Sequence, residues 1–205
     1  MLGTPTRDRR AERREATRQE ILAAAWNVAH EGGLSALTLR DVAARVGMQA
    51  PSLYSHFPSK NAIYDAMFAQ AWAECEATLD VFDRRRSRSP RAALKSAAMT
   101  FFDFAVADPA RTQLMTQRTI PGFEPTPESY APSVRVLDRT RQFLRDLGCD
   151  DPQALDIYTA LISGLVDQQM ANDPGGDRWR RLLDRVIDMF ADEIGLPGTR
   201  RRRRQ

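Results

Sequence analysis

Residues Gln49 to Lys60, QAPSLYSHFPSK, bring an amide, three aliphatic hydroxyls, a phenol, an imidazole and an ammonium group into twelve positions. Leu53 and Phe57 are the obvious apolar anchors, four residues apart, so the segment reads as a short helix fixed on one side and polar on the other. Pro51 suits the first turn of such a helix, where its missing N–H costs nothing, and Pro58 stops it near Phe57. Gln49, Ser52, Tyr54 and His56 can exchange hydrogen bonds with phosphates and base edges. Lys60 can meet a phosphate together with the unpaired N–H groups of the helix it starts. This is the chemistry of recognition. Turnover has no comparable signal: GxSxG, HExxH, P-loop and GxGxxG motifs are all absent, and His30 and His56 have no Cys or His at metal-ligand spacing. No catalytic residue, metal site or cofactor is expected, although groups distant in sequence could still converge to make an enzyme. His56 could equally be a buried, hydrogen-bonded histidine.

A polar third helix needs a platform, and the residues before it supply one. Ile21, Leu22, Ala25, Val28 and Ala29 form a helical apolar stripe that stops at Gly32 and Gly33, behind an arginine-rich arm expected to be mobile (Arg7, Arg9, Arg10, Arg13, Arg14). Thr38 offers a hydroxyl cap with Asp41 three residues on, and Leu39, Val42, Ala43 and Val46 follow at helical spacing to Gly47. Ala43 is small where two helices must cross, and Gly47 suits the reversal of the chain. A helix, a tight turn and a short polar helix is the geometry that places side chains in the DNA major groove, against the plainer alternative of a surface helical hairpin.

The remainder also reads as helix throughout. Ile63, Met67, Ala71, Cys75 and Leu79 recur every fourth residue to Phe82; Arg84 to Arg88 and Pro90 interrupt, and Leu94, Ala97, Phe101 and Ala105 resume. Asp108 and Pro109 open a short helix, and a proline-rich loop is expected from Ile120 to Pro132. Asp151 and Pro152 start a helix that NDPGG breaks at 172–176, and a last one ends at Gly195 and Pro197. The expected fold class is all-α with nine helices: a basic arm and helix-turn-helix domain at 1–60, a helical bundle at 61–197 and a disordered arginine tail at 198–205.

Charge divides along the same line. Residues 1–60 carry nine Lys and Arg against six Asp and Glu, residues 61–199 sixteen against twenty-one, and Arg200–Arg204 add five more cations. A basic start ahead of an acidic body suggests an anionic partner for the former alone, or else a solvated helix face. The arginine tail can add phosphate contacts or simply be a solvated end. No apolar run approaches the ~20 residues of a membrane span, so the chain reads as cytoplasmic without a membrane partner. Cys75 and Cys149 read as buried free thiols.

The run TLRDVAARVGMQAPSLYSHFPSKNAIYDAMF, above all LYSHFPSK, resembles the DNA-binding domain of the TetR family of bacterial transcriptional regulators. The resemblance covers about a quarter of the chain. It implies that Thr38, Arg40, Ala50, Pro51, Ser52, Tyr54 and His56 face double-stranded operator DNA and that Lys60 holds a phosphate. The third helix of the family usually begins with Ser or Thr; Gln49 is a poorer cap, which makes it a candidate for reading a base edge.

One short recognition helix reads few base pairs, so a twofold dimer is expected on physical grounds. The family pairs through its last two helices, which nominates Leu161, Leu165, Leu182 and Val186 for a homodimer interface, unless they fill the core of one chain. The resemblance further implies a small-molecule effector in an apolar pocket of the body, and Trp72, Met99, Phe102, Met115, Tyr130, Tyr158 and Gln168 are its candidates, with plain core packing as the alternative. A ligand-responsive regulator, most simply a repressor, competes here with a sensor that has no operator and with an all-helical enzyme.

Overall fold

The computed structural model describes residues 9–84, 87 and 89–197; Arg7, most of the Arg84–Arg88 stretch and the arginine tail lie outside the described residues. Among these there are nine α-helices, two single 3-10 turns and no strand. The helices are α1 (Arg9–Gly32), α2 (Leu39–Arg45), α3 (Ala50–Leu53), α4 (Lys60–Arg84), α5 (Pro90–Ala107), α6 (Pro109–Thr116), α7 (Pro127–Asp146), α8 (Pro152–Asn172) and α9 (Leu183–Glu193). No described helix is long and apolar enough to cross a membrane.

Three elements depart from the sequence expectation. The basic arm is helical from Arg9, because α1 continues back through it and leans on the exit of α3: Arg14 Nη2 donates to Ser55 O (3.1 Å), and Arg18 Nη1 donates to His56 O (2.5 Å). The third helix is one turn of α-helix rather than two. Ser55 Oγ donates to the carbonyl of Ser52 (2.7 Å), a side-chain bond that competes with helix continuation, and His56 N bonds tightly back to Leu53 O. The proline-rich loop ends at Thr126, earlier than expected, and Pro132 sits inside α7. Asp65 of α4 accepts from Thr126 N (2.7 Å), Thr126 Oγ1 (3.0 Å) and Ser129 Oγ (2.7 Å), which pins the first turn and lets the helix form despite the proline.

Two cores stack along α4. The upper one joins α1, α2, α3 and the first half of α4 around Ile21, Leu37, Val42, Leu53, Phe57 and Ile63, and is closed from below by Leu114, Met115 and Val136. The lower one joins α5, α8, α9 and the end of α7 around Leu94, Phe102, Ile162, Leu183 and Ile187. Arg91, 5% exposed, staples the lower core shut: it donates to Leu196 O (2.7 Å), Pro197 O (3.2 Å) and Asp188 O (3.1 Å), and pairs with Asp192 (2.5 Å). Cys75 and Cys149 are buried free thiols, and burial pushes Cys75 up to about 12.

Candidate nucleic-acid interface and interior cavity

The turn that aims α3 is built from α2 outward. Thr38 Oγ1 accepts from Asp41 N (3.1 Å) and starts α2. At its end Met48 N bonds to Ala43 O (2.9 Å) and Gly47 N to Ala44 O (3.2 Å), a Schellman closure that requires the positive φ of Gly47 (68°). Ala43 is 1% exposed, so α2 and its neighbours meet closely at that point. Leu53 and Phe57 are buried, and Arg18 lies 4.2 Å over the Phe57 ring. Gln49 precedes the helix and makes no side-chain cap, which leaves its amide uncommitted.

The candidate DNA residues differ in exposure. Thr38, Arg40, Gln49, Pro51 and Ser52 are exposed, and Tyr54, next to the buried Leu53, is 52% exposed. Ala50 is half buried against the upper core, and His56 is half buried, its Nδ1 without a partner among the described residues. Lys60 Nζ lies 5.4 Å over the Tyr64 ring, and Tyr64 is itself fixed by donating to Leu34 O (2.5 Å). Ser59 Oγ accepts from Ala62 N (3.1 Å), one of the N–H groups that the start of α4 would otherwise leave unpaired. Among the described residues neither Arg40 nor Lys60 has an acidic partner. Elsewhere arginines are neutralised in pairs: Arg45 by Glu31, Arg111 by Glu74, Arg135 by Glu76 and Arg180 by Asp103. Arg14 and Arg18, which hold the α3 exit by its carbonyls, are not among the residues that sequence reasoning nominates; their spacing of four, which puts them on one face of an extended α1, is the signal that could have found them.

Below this face, where the two cores meet, a cavity of about 190 Å³ opens between α4, α5, α7 and α8. Trp72 and Tyr158 are the two pocket candidates in its wall, with Phe82, Phe101 and Phe143. Met115 and Tyr130 instead line a separate, more polar cleft beside the α6–α7 loop, and Thr116 touches both spaces. Phe102 is fully buried in the lower core, while Met99 packs half buried against it. Gln168 is exposed and accepts from Asn172 (2.8 Å). Its neighbour Gln169 is the buried amide, holding Trp179 N (3.0 Å) and so closing the α8–α9 turn. Of the interface candidates, Leu182 is 40% exposed, Leu161 and Val186 are half buried, and Leu165 is buried in the lower core. No group of three or more His, Cys, Asp or Glu among the described residues is placed to hold a metal.

The sequence model of bacterial regulatory proteins of the tetR family matches residues 21–67, from the anchoring stripe of α1 to the start of α4. By this match residues 21–67 carry a tetR-family regulatory domain. It is 29% identical over 189 residues to the class A tetracycline repressor protein from transposon 1721 of Escherichia coli, covering 85% of this chain and 81% of that one. It is 28% identical over 159 residues to the class C tetracycline repressor protein, also from Escherichia coli, covering 76% and 67%. The TetR fold extends over the body. A TetR family transcription regulator from Marinobacter aquaeolei VT8 superimposes with a TM-score of 0.64 at 19% identity over 89% of this chain and 97% of that one. The regulator FadR from Bacillus subtilis, solved in complex with stearoyl-CoA, gives 0.61 at 16% identity over 84% and 96%.

Proposed function

We propose that this TetR-family chain is a homodimeric repressor that reads operator DNA with the face from Gln49 to Lys60 and is released by a small molecule held in the cavity below it. One observation carries the DNA half. Polar side chains, including Tyr54 at 52% exposure, stand on an anchor pair that is almost fully buried, beside cations with no acidic partner among the described residues. Buried anchors fix the geometry, and uncommitted donors are free to replace water at phosphates and bases. Gln49, Pro51 and Ser52 enter the groove, while Tyr54, His56 and Lys60 take backbone phosphates, with Thr38 and Arg40 at the start of α2 beside them.

The dimer reading rests on an exposed stripe across α8 and α9. Ile157, the half-buried Leu161, Gly164 and Gln168 follow one another along α8, with Leu182 at the 3-10 turn before α9 and Met189 (64% exposed) on α9. A Cβ at Gly164 would meet nothing within 4 Å in the single chain, so this glycine is not required by the fold of the monomer. Close approach of a second copy gives it a use. The resemblance to tetracycline repressors supports repression over activation, and a DNA-binding protein of this kind acts in the cytoplasm. Release by ligand is supported by α4, which begins at Lys60 and runs down past Trp72 into the cavity wall. To be useful, the ligand must favour the DNA-incompetent state by about 1–3 kcal/mol.

The test is fluorescence anisotropy of the chain against DNA from upstream of its own coding sequence, beside scrambled DNA, across a salt series. Preferential, saturable binding is expected. Lys60→Ala should weaken it and lower the salt slope by about one, and Tyr54→Phe should weaken it with helicity and dimerisation intact. Undiminished affinity in both variants would remove the assigned face.

A further inference from the structure

The wall of the cavity states what kind of molecule it can hold. Two of its buried polar side chains have no partner within the described residues. The Trp72 indole N–H is buried without a hydrogen bond, in a residue only 9% exposed. Tyr158, 5% exposed, makes a ring contact with Phe190 (5.4 Å between centroids), and its hydroxyl has no partner among the described residues; burial pushes that phenol far above its ordinary value, so it stays a neutral donor. The hydroxyls of Thr116, Thr140 and Thr159 in the same wall already donate to carbonyls of their own helices, at 2.8, 2.9 and 2.9 Å. What the Trp72 N–H lacks is an acceptor.

Charge narrows the class further. Arg139 is the cation at this site, and it is spent: Nε donates to Asp83 (2.8 Å) and Nη1 to Asp80 (2.5 Å). Among the described residues an anionic ligand finds no uncommitted positive charge, and a cationic one must compete with Arg139 for Asp83. Desolvating either would cost several kcal/mol without repayment. Size sets the rest. A dry cavity of about 150 Å³ accommodates benzene, so about 190 Å³ suits one substituted ring or a compact bicycle.

We infer that the effector of this chain is an uncharged, largely apolar molecule of about ten to twelve non-hydrogen atoms that carries a carbonyl-type acceptor, which pairs with the Trp72 N–H and the Tyr158 hydroxyl. The inference rests on the reading of this cavity as the effector site and adds its chemistry. An orphaned buried donor costs stability when empty-handed, and a ligand that supplies the acceptor recovers it. A hydrocarbon of the same shape recovers only the contact area.

The experiment compares three probes on the full-length protein by NMR titration: propiophenone, n-propylbenzene and 3-phenylpropionate. The Trp72 indole ¹H–¹⁵N resonance is assigned through Trp72→Phe. Propiophenone should bind, move that resonance downfield, and lose about 3- to 10-fold in affinity in Trp72→Phe. Propylbenzene should bind more weakly and be indifferent to the substitution, and phenylpropionate should not bind. The inference is overturned if the acid binds as well as the ketone, if the ketone does not bind, or if it binds with an unmoved indole resonance. Should Trp72→Phe fail to fold, Trp26→Phe and Trp179→Phe assign the Trp72 resonance by elimination, and Tyr158→Phe reads the same loss of affinity. DNA binding on the same preparation separates the two claims. A protein that holds its upstream DNA but ignores the ketone remains a regulator and loses this ligand class; one that takes the ketone with the indole shift but binds no DNA keeps the ligand class and loses the regulator reading.

Discussion

In the upper core Leu37, Leu53, Ile63 and Tyr64 are fully buried and press directly on one another's elements, whereas Phe82, Phe101, Phe143 and Tyr158 below them stand around about 190 Å³ of space. The residue types are similar. The packing around them differs: the upper residues close on a one-turn helix, and the lower ones leave space between them. The upper unit spends its apolar residues on filling, and the lower one is tied by ion pairs such as the Arg91 staple while space stays open where the two meet. Rigidity and capacity are thus divided between two cores that share one helix, α4.

The sharpest way to break this contrast is a pair of opposite substitutions. Leu53→Ala should cost about 3 kcal/mol, read as a large fall in Tm, and abolish DNA binding, because a filled core cannot relax around the loss. Ala97→Leu, which adds volume into the cavity wall, should change stability by no more than about 1 kcal/mol and block ligand uptake, where the same change in a filled core costs about 1–3. Heavy destabilisation by the second variant would mean that the lower core is as tightly filled as the upper. Next in size, Arg91→Ala should lower stability by about 2–3 kcal/mol by stranding the carbonyls of Leu196 and Asp188, with DNA affinity per folded molecule unchanged.

Acid should loosen the lower half first. Hydrogen bonds from Lys95 and from Arg91 hold Asp188 below its ordinary 3.8, and the N–H of Arg178 does the same for Asp173. A carboxylate whose folded value is depressed contributes stability that is complete above its unfolded value and is lost as pH falls through the folded one. Below about pH 4, hydrogen exchange of α5 and α9 amides should therefore accelerate more than that of α1 and α2, where Glu31 is the corresponding group. The smallest effect is expected from Gln49→Ser, which supplies the missing cap of α3: stability should rise by about 0.5–1 kcal/mol, while the preference between native and scrambled DNA falls if the amide reads a base. Calorimetry and the anisotropy assay check the two halves.

The local half of this architecture was readable in the sequence. Thr38, Gly47 and Pro51 act on neighbours within a few residues, and cap, turn and first helical turn all stand where those residues imply. What escaped depends on partners far along the chain. The helical arm is steadied by Ser55 and His56 some forty residues away, and α7 survives Pro132 because Asp65 holds its start. Pocket candidates scattered for the same reason: periodicity shows that Trp72, Phe102 and Tyr130 are apolar positions, but only the crossing of α4, α5, α7 and α8 decides that the first faces the cavity, the second is core and the third borders the outer cleft. Gln168 and Gln169 are adjacent and chemically identical, and one residue of helical rotation separates a solvent contact from a turn clamp.

Helix α6 is eight residues long, and its two ends answer to different halves of the molecule. At the start Asp108 caps it by accepting from Arg111 N (3.0 Å) and lies 2.9 Å from Nε2 of His30, near the end of α1; at the finish Thr116 stands in the cavity wall. A helix of that length is a strut of about 12 Å that neither stretches nor compresses under ordinary thermal forces. Its start is tied to α1 and its finish to the cavity wall, so the amino-terminal half meets the cavity through α6 as well as through α4.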